Sequence, residues 1–217
     1  MFIATFVILV MFFAYGIANI QSGETRGWLG ALVALMFLVG LQRYLISRAN
    51  KEREQKLKLF DLIVTSEDNR YSLSRFQIYV WTVWVVIAFA QAAFATLTFP
   101  IVPENLAILM AINGTTTVIS TALTDIEKLK LAKPAEQPVF FSDIFLDASG
   151  TLDLPRTQMF IWTMVILVTH MVIFWKGCLA GRPSLPEISG GMLILMGVSQ
   201  GIYLGVKAAH EKKTSLR

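Results

Sequence analysis

Polar and charged residues gather into blocks along the chain. Between the blocks lie six apolar runs, at about 2–20, 27–47, 76–99, 106–123, 157–176 and 188–206. A bilayer core of roughly 30 Å is crossed by about 20 apolar residues of α-helix. The pattern therefore predicts an all-α membrane protein with six transmembrane helices. The run 106–123 is the least apolar, because it carries Asn113 and the consecutive Thr115, Thr116 and Thr117. The run 2–20 has no basic stretch before it and is longer than the apolar part of a signal peptide, so it reads as a span.

The polar boundaries contain a repeat. SLSRFQIYVWT begins at Ser72, and DLPRTQMFIWT begins at Asp153, 81 residues later. Leu73, Arg75, Gln77, Trp81 and Thr82 recur as Leu154, Arg156, Gln158, Trp162 and Thr163. Upstream, the segments beginning at Leu62 and Asp143 match at the same offset. Each reads as a short strand (Ile63–Thr65 and Ile144–Leu146), a polar turn, and a second strand (Tyr71–Leu73 and Leu152–Leu154), because Asn, Asp and Gly suit hairpin turns. Paired, the two hairpins would build a small cytoplasmic β element of four strands; unpaired, they would lie as separate amphipathic loops at the headgroups.

Downstream, Pro103-Glu104 answers Pro186-Glu187. LMAINGTTTVIST from Leu109 answers LMGVSQGIYLGVK from Leu195, now at an offset of 86. The expected organisation is a tandem parallel repeat of hairpin, helix, loop and helix. Residues 1–47 form an N-terminal transmembrane hairpin and 48–61 a basic, helical cytoplasmic linker. Repeat unit 1 occupies 62–130, a linker 131–141, and repeat unit 2 with its basic tail 142–217.

Composition agrees with a membrane location. The 217 residues are 55% hydrophobic and 16% charged, against about 25% charged in soluble domains. With the N-terminus inside, sixteen of the 19 Lys and Arg fall on inner segments, and Arg26, Lys176 and Arg182 fall outside. The positive-inside rule then places both termini in the cytoplasm, and the expected location is a bacterial inner membrane. The net charge of +4 reads as basic residues meeting anionic headgroups, with no nucleic acid partner implied. The single cysteine, Cys178, and the two histidines have no metal-ligand spacing. There is no carboxylate pair within the apolar runs, no Ser-His or Cys-His arrangement and no phosphate loop. The expectation is a non-enzymatic protein without cofactor. His170 stands alone in the fifth run as a packed core residue, and Phe89 takes its place in the first copy.

Three sets of residues are candidates for function. The repeated phrase would form a joint: Arg75 and Arg156 reach lipid phosphate, and Trp81 and Trp162 form an inner aromatic belt opposite Trp28 and Trp175. Ser72 and Asp153 cap the helices, and Gln77 and Gln158 tie each helix to a hairpin. Asn113, Thr116, Thr117 and Ser120, with Ser199, Tyr203 and Lys207, lie at helical spacing. They would line a hydrated path or bond between helices. Gly197, Gly201 and Gly205 mark a close-packing stripe, either within the chain or between copies. The function expected is a homo-oligomeric membrane assembly forming a channel or pore, with the hairpins as gate or sensor. The alternative is an anchoring subunit whose hairpins dock a cytoplasmic protein.

Overall fold

The computed structural model describes residues 15–49, 71–128, 139–146 and 150–215. These fold into five long helices and one short one: α1 (Gly23–Ala49), α2 (Leu73–Thr96), α3 (Glu104–Lys128), α4 (Phe140–Phe145), α5 (Leu154–Leu179) and α6 (Gly190–Ser215). The five long helices are each long and apolar enough to cross a membrane. They coincide with five of the six expected runs, including 106–123. Most of the run 2–20 lies outside the described residues, as do most of the linkers 48–61 and 131–141. The chain is an integral membrane protein of nearly all-helical build.

The second expected hairpin is corrected in part. Among the described residues there is no strand; Leu146 and Leu152 form an isolated antiparallel bridge, and Tyr71 also stands in a bridge. Over Ile144 and Phe145 of the expected strand Ile144–Leu146, α4 forms instead, while Leu146 stays extended. The Asp143 carboxylate accepts the backbone N–H of Val139 at 3.0 Å, fixing the first turn. Ile144 is then fully buried, and Phe140 packs edge-on against Phe76 at 5.6 Å. Aromatic burial on one helical face overrides the local strand pattern. Of the first hairpin, Ile63–Thr65 lies outside the described residues.

Helix ends follow local chemistry. Asp153 caps α5, its Oδ1 accepting the Arg156 N–H at 3.2 Å. At the other end Gly181 adopts a positive φ of 69°. There Arg182 N donates to Gly177 O at 2.9 Å and Gly181 N to Cys178 O at 3.0 Å, the two bonds of a Schellman stop.

The chain divides into two compact units. One holds α1, α2 from Thr82 onward and α5 from Thr169 onward. Its packing rests on Gly23, Gly27 and Gly30. A Cβ on Gly27 would lie 2.9 Å from both Ala95 Cβ and Gln91 O, and one on Gly30 would lie 2.5 Å from the Phe94 ring. Only glycine admits this approach of two helices. Arg26 joins the same contact, donating to Phe94 O at 2.5 Å, Ala95 O at 2.7 Å and Ile20 O at 2.9 Å. It thereby occupies the last carbonyls of α2, which have no partner within the helix. Trp28 and Trp175 stand with ring centroids 4.8 Å apart.

The other unit holds α3, α4, α6 and the first parts of α2 and α5. Its core joins Leu73, Phe76, Ile144, Met159 and Tyr203.

Candidate functional site

The polar residues expected along two helices meet in this second unit, where α3 packs against α6. Asn113, Thr116 and Ser120 recur every three or four residues on α3, which puts them on one face. All three are buried. From α6, the Gln200 amide donates to Asn113 Oδ1 at 2.6 Å, and the Thr116 hydroxyl bonds Gln200 Oε1. Further along, Ser120 Oγ meets the Tyr203 hydroxyl at 3.1 Å. The Lys207 ammonium donates to Ser120 O at 2.7 Å and Ser120 Oγ at 3.0 Å. The result is a ladder of side-chain bonds at membrane depth, where polar atoms need partners. Thr117 stands apart from it, bonding its own helix at Asn113 O (2.9 Å) and reaching Ser74 O on α2 (3.1 Å). Ser199 is buried and receives Gln158 at 3.4 Å rather than an α3 residue.

Gln200, absent from the expected stripe, is the ladder's central residue. Its partner Asn113 keeps an unspent Nδ2 and, elsewhere on α2, Gln77 keeps an unspent Oε1; both atoms are buried without a hydrogen-bond partner among the described residues.

The repeated phrase is a joint, but its parts have different partners from those expected. Gln77 ties helix to helix: its amide bonds the Thr163 hydroxyl and lies 3.4 Å from Met159 O, both on α5. Gln158 ties α5 to α6. Among the described residues neither meets a hairpin. Arg156 takes that role. It donates to Asp143 O and Leu146 O, both at 3.2 Å, and pairs with Asp153 at 2.9 Å. Arg75 is half-buried in the first turn of α2. Trp81 is fully buried, so it is a core residue and not part of an interfacial belt. Trp162 is half-buried.

In the first unit His170 is buried between two fixed partners. Trp84 Nε1 lies 2.9 Å from His170 Nδ1, and Pro186 O lies 3.1 Å from Nε2. An indole N–H only donates. Nδ1 therefore accepts, and Nε2–H donates to Pro186 O. A neutral imidazole in one tautomer pins the segment after α5.

Gly197, Gly201 and Gly205 contrast with all of this. A Cβ added at any of them would meet nothing within 4 Å among the described residues. No described residue packs against this stripe.

No protein-family model, curated protein or solved structure matches this chain. The functional reading therefore rests on the geometry. One face of α6 is bonded to α3, while no described residue covers the glycine face.

Proposed function

We propose that the protein is a non-enzymatic structural subunit of the membrane that assembles with copies of itself through the glycine face of α6. The observation carrying this reading is the open space over Gly197, Gly201 and Gly205. Three small residues in register allow a second backbone to approach closely, which favours helix association in lipid. The polar ladder makes α3 and α6 a single rigid pair behind that face. The candidate lining residues are largely spent on one another, which supports an anchoring subunit over a pore.

The experiment is the mass of the purified particle in mild detergent, for wild type and Gly201→Leu. Wild type should run as an oligomer and the variant as a smaller, folded particle. A single-chain mass for wild type, or an unchanged mass for the variant, would refute the assembly.

A second reading is favoured by Asn113 Nδ2 and Gln77 Oε1, a donor and an acceptor left over in a buried setting. Such atoms are commonly met by internal water, and a hydrated interior is what a channel requires. Ion or solute flux into liposomes that is lost in Asn113→Leu, with particle mass unchanged, would favour the channel.

A further inference from the structure

Two connections leave the first unit at the end where α1 begins: residues 97–103 after α2 and 180–187 after α5. Pro103-Glu104 closes one and Pro186-Glu187 the other. Each starts with a residue in the left-handed region, Leu97 at φ 54° and Gly181 at φ 69°. Their side chains are arranged oppositely. In 180–187, Leu185 and Pro186 are buried, while Arg182, Ser184 and Glu187 are exposed. Apolar groups inside and charge outside is the arrangement that water selects. In 97–103, Phe99 is 91% exposed and Ile101 87%, with Leu97 and Val102 exposed beside them. No residue over 92–103 is charged. Facing water, such a contiguous apolar cluster would be costly.

The neighbouring helices fix the depth of this cluster. A Cβ on Gly27 would lie 2.9 Å from Ala95 Cβ, two residues before Leu97. Trp28 follows Gly27 and stands 4.8 Å from Trp175, which is itself exposed. Glu24, one turn before Trp28, and Lys176, next after Trp175, are exposed charges. Tryptophan beside charge at a helix end marks the boundary between hydrocarbon and headgroups. The last turn of α2 reaches that boundary. Residues 97–103 therefore begin in the headgroup layer, which is roughly 5–8 Å deep.

Polar groups around the connection are spent within the unit. Arg26 occupies Phe94 O and Ala95 O at the end of α2. Thr96 and Thr98 are exposed, but the Thr96 hydroxyl donates to Ala92 O at 2.9 Å and lies 2.9 Å from the Thr98 hydroxyl. Pro100 and Pro103 have no N–H to satisfy. The segment can lie where water is scarce at little polar cost.

We infer that residues 97–102 are an interfacial anchor, with Phe99 and Ile101, flanked by Leu97 and Val102, inserted at the boundary between headgroups and acyl chains. The occupant of this surface is lipid and not a second copy of the chain. Four side chains fall far short of the roughly 20–30 residues a side of a stable protein interface, and they start at the level of the tryptophan pair. The backbone stays among the headgroups, since irregular chain exposed to lipid does not enter the hydrocarbon core. The inference does not depend on the assembly proposed above.

The test uses the full chain with Cys178→Ala, reconstituted in vesicles of phosphatidylcholine and phosphatidylglycerol. Nitroxide labels are placed singly at Phe99→Cys and Ile101→Cys, where the native side chains are almost wholly exposed. Val168→Cys, at an exposed position midway along α5, is the lipid reference. Ser184→Cys, in the other connection, is the aqueous one. Collision of the label with oxygen, which partitions into hydrocarbon, is compared with collision with a water-soluble nickel chelate. At both test sites the oxygen-to-nickel ratio should exceed that at Ser184 severalfold, without exceeding that at Val168. A ratio at either site equal to that at Ser184 would overturn the inference by showing a water-facing loop. Weak collision with both reagents and an immobilised label would overturn it by showing protein over the cluster.

Discussion

Two helices carry glycines at close-packing spacing, and the structure uses them differently. On α1, Gly23, Gly27 and Gly30 are filled by α2, with Ala95, Gln91 and Phe94 pressed to within 3.0 Å or less of where a Cβ would stand. On α6, Gly197, Gly201 and Gly205 have nothing of this chain against them among the described residues. Spacing alone marks a helix surface that a backbone can approach. It does not say whose backbone. What distinguishes the two is the second anchor. Arg26 locks α1 to the carbonyl end of α2, whereas Gln200, Tyr203 and Lys207 of α6 bond to α3.

The comparison can be broken most forcefully at Gly27. Gly27→Leu forces a side chain into backbone and should destabilise the protein by about 1–3 kcal/mol or more, read as a loss of thermal stability in detergent. A variant as stable as wild type would show that the α1–α2 contact is loose.

Next in size is the ladder that closes the other face of α6. Gln200→Leu leaves Asn113 Oδ1 and Thr116 without their partner, at a cost of about 1–3 kcal/mol. A double-mutant cycle with Asn113→Leu should return a coupling of about 0.6–1.7 kcal/mol, the range found between membrane helices. Zero coupling would mean that the two amides do not meet.

A third test sharpens the contrast between the repeated copies. Gln77 is fully buried, but its counterpart Gln158 is largely exposed and makes one long bond. Gln77→Leu should cost about 1–3 kcal/mol, and Gln158→Leu no more than about 0.5 kcal/mol. Equal losses would mean that the two glutamines have equivalent roles.

The smallest stability effect is expected at Gly201. No described residue stands where the Gly201→Leu side chain would go, so the melting temperature of the single chain should stay near that of wild type. A large loss of single-chain stability would mean that the groove is filled from within.

The five described spans were legible because each is a long apolar run bounded by charge, and length alone selects a helix in lipid. The copies of the phrase were legible too, and both begin a helix, at Leu73 and Leu154. Their partners were not legible. Gln77 and Gln158 share a register but face different surroundings, which a match between two stretches of one chain cannot reveal. Gln200 was hidden for a related reason. It aligns with Gly114 in the other copy, so a stripe chosen for likeness between copies passes over it. Turn chemistry after it suggested a strand over Ile144–Leu146, but the burial of Ile144 and the packing of Phe140 and Phe145 favour a helical turn. The used glycines of α1 carry the same signal as those of α6. Sequence could not tell them apart, because the difference lies in Ala95 and Phe94, more than sixty residues away.

The most direct test of assembly through α6 is a cross-link made in the native membrane. In a Cys178→Ala background, Gly201→Cys introduces one thiol at the centre of the open face. Mild oxidation should trap a covalent pair of chains, while Cys introduced at the fully buried Ala92 should remain single. If Gly201→Cys yields no covalent pair while remaining reactive to a membrane-permeant thiol reagent, the face meets only lipid and the assembly proposed here is wrong.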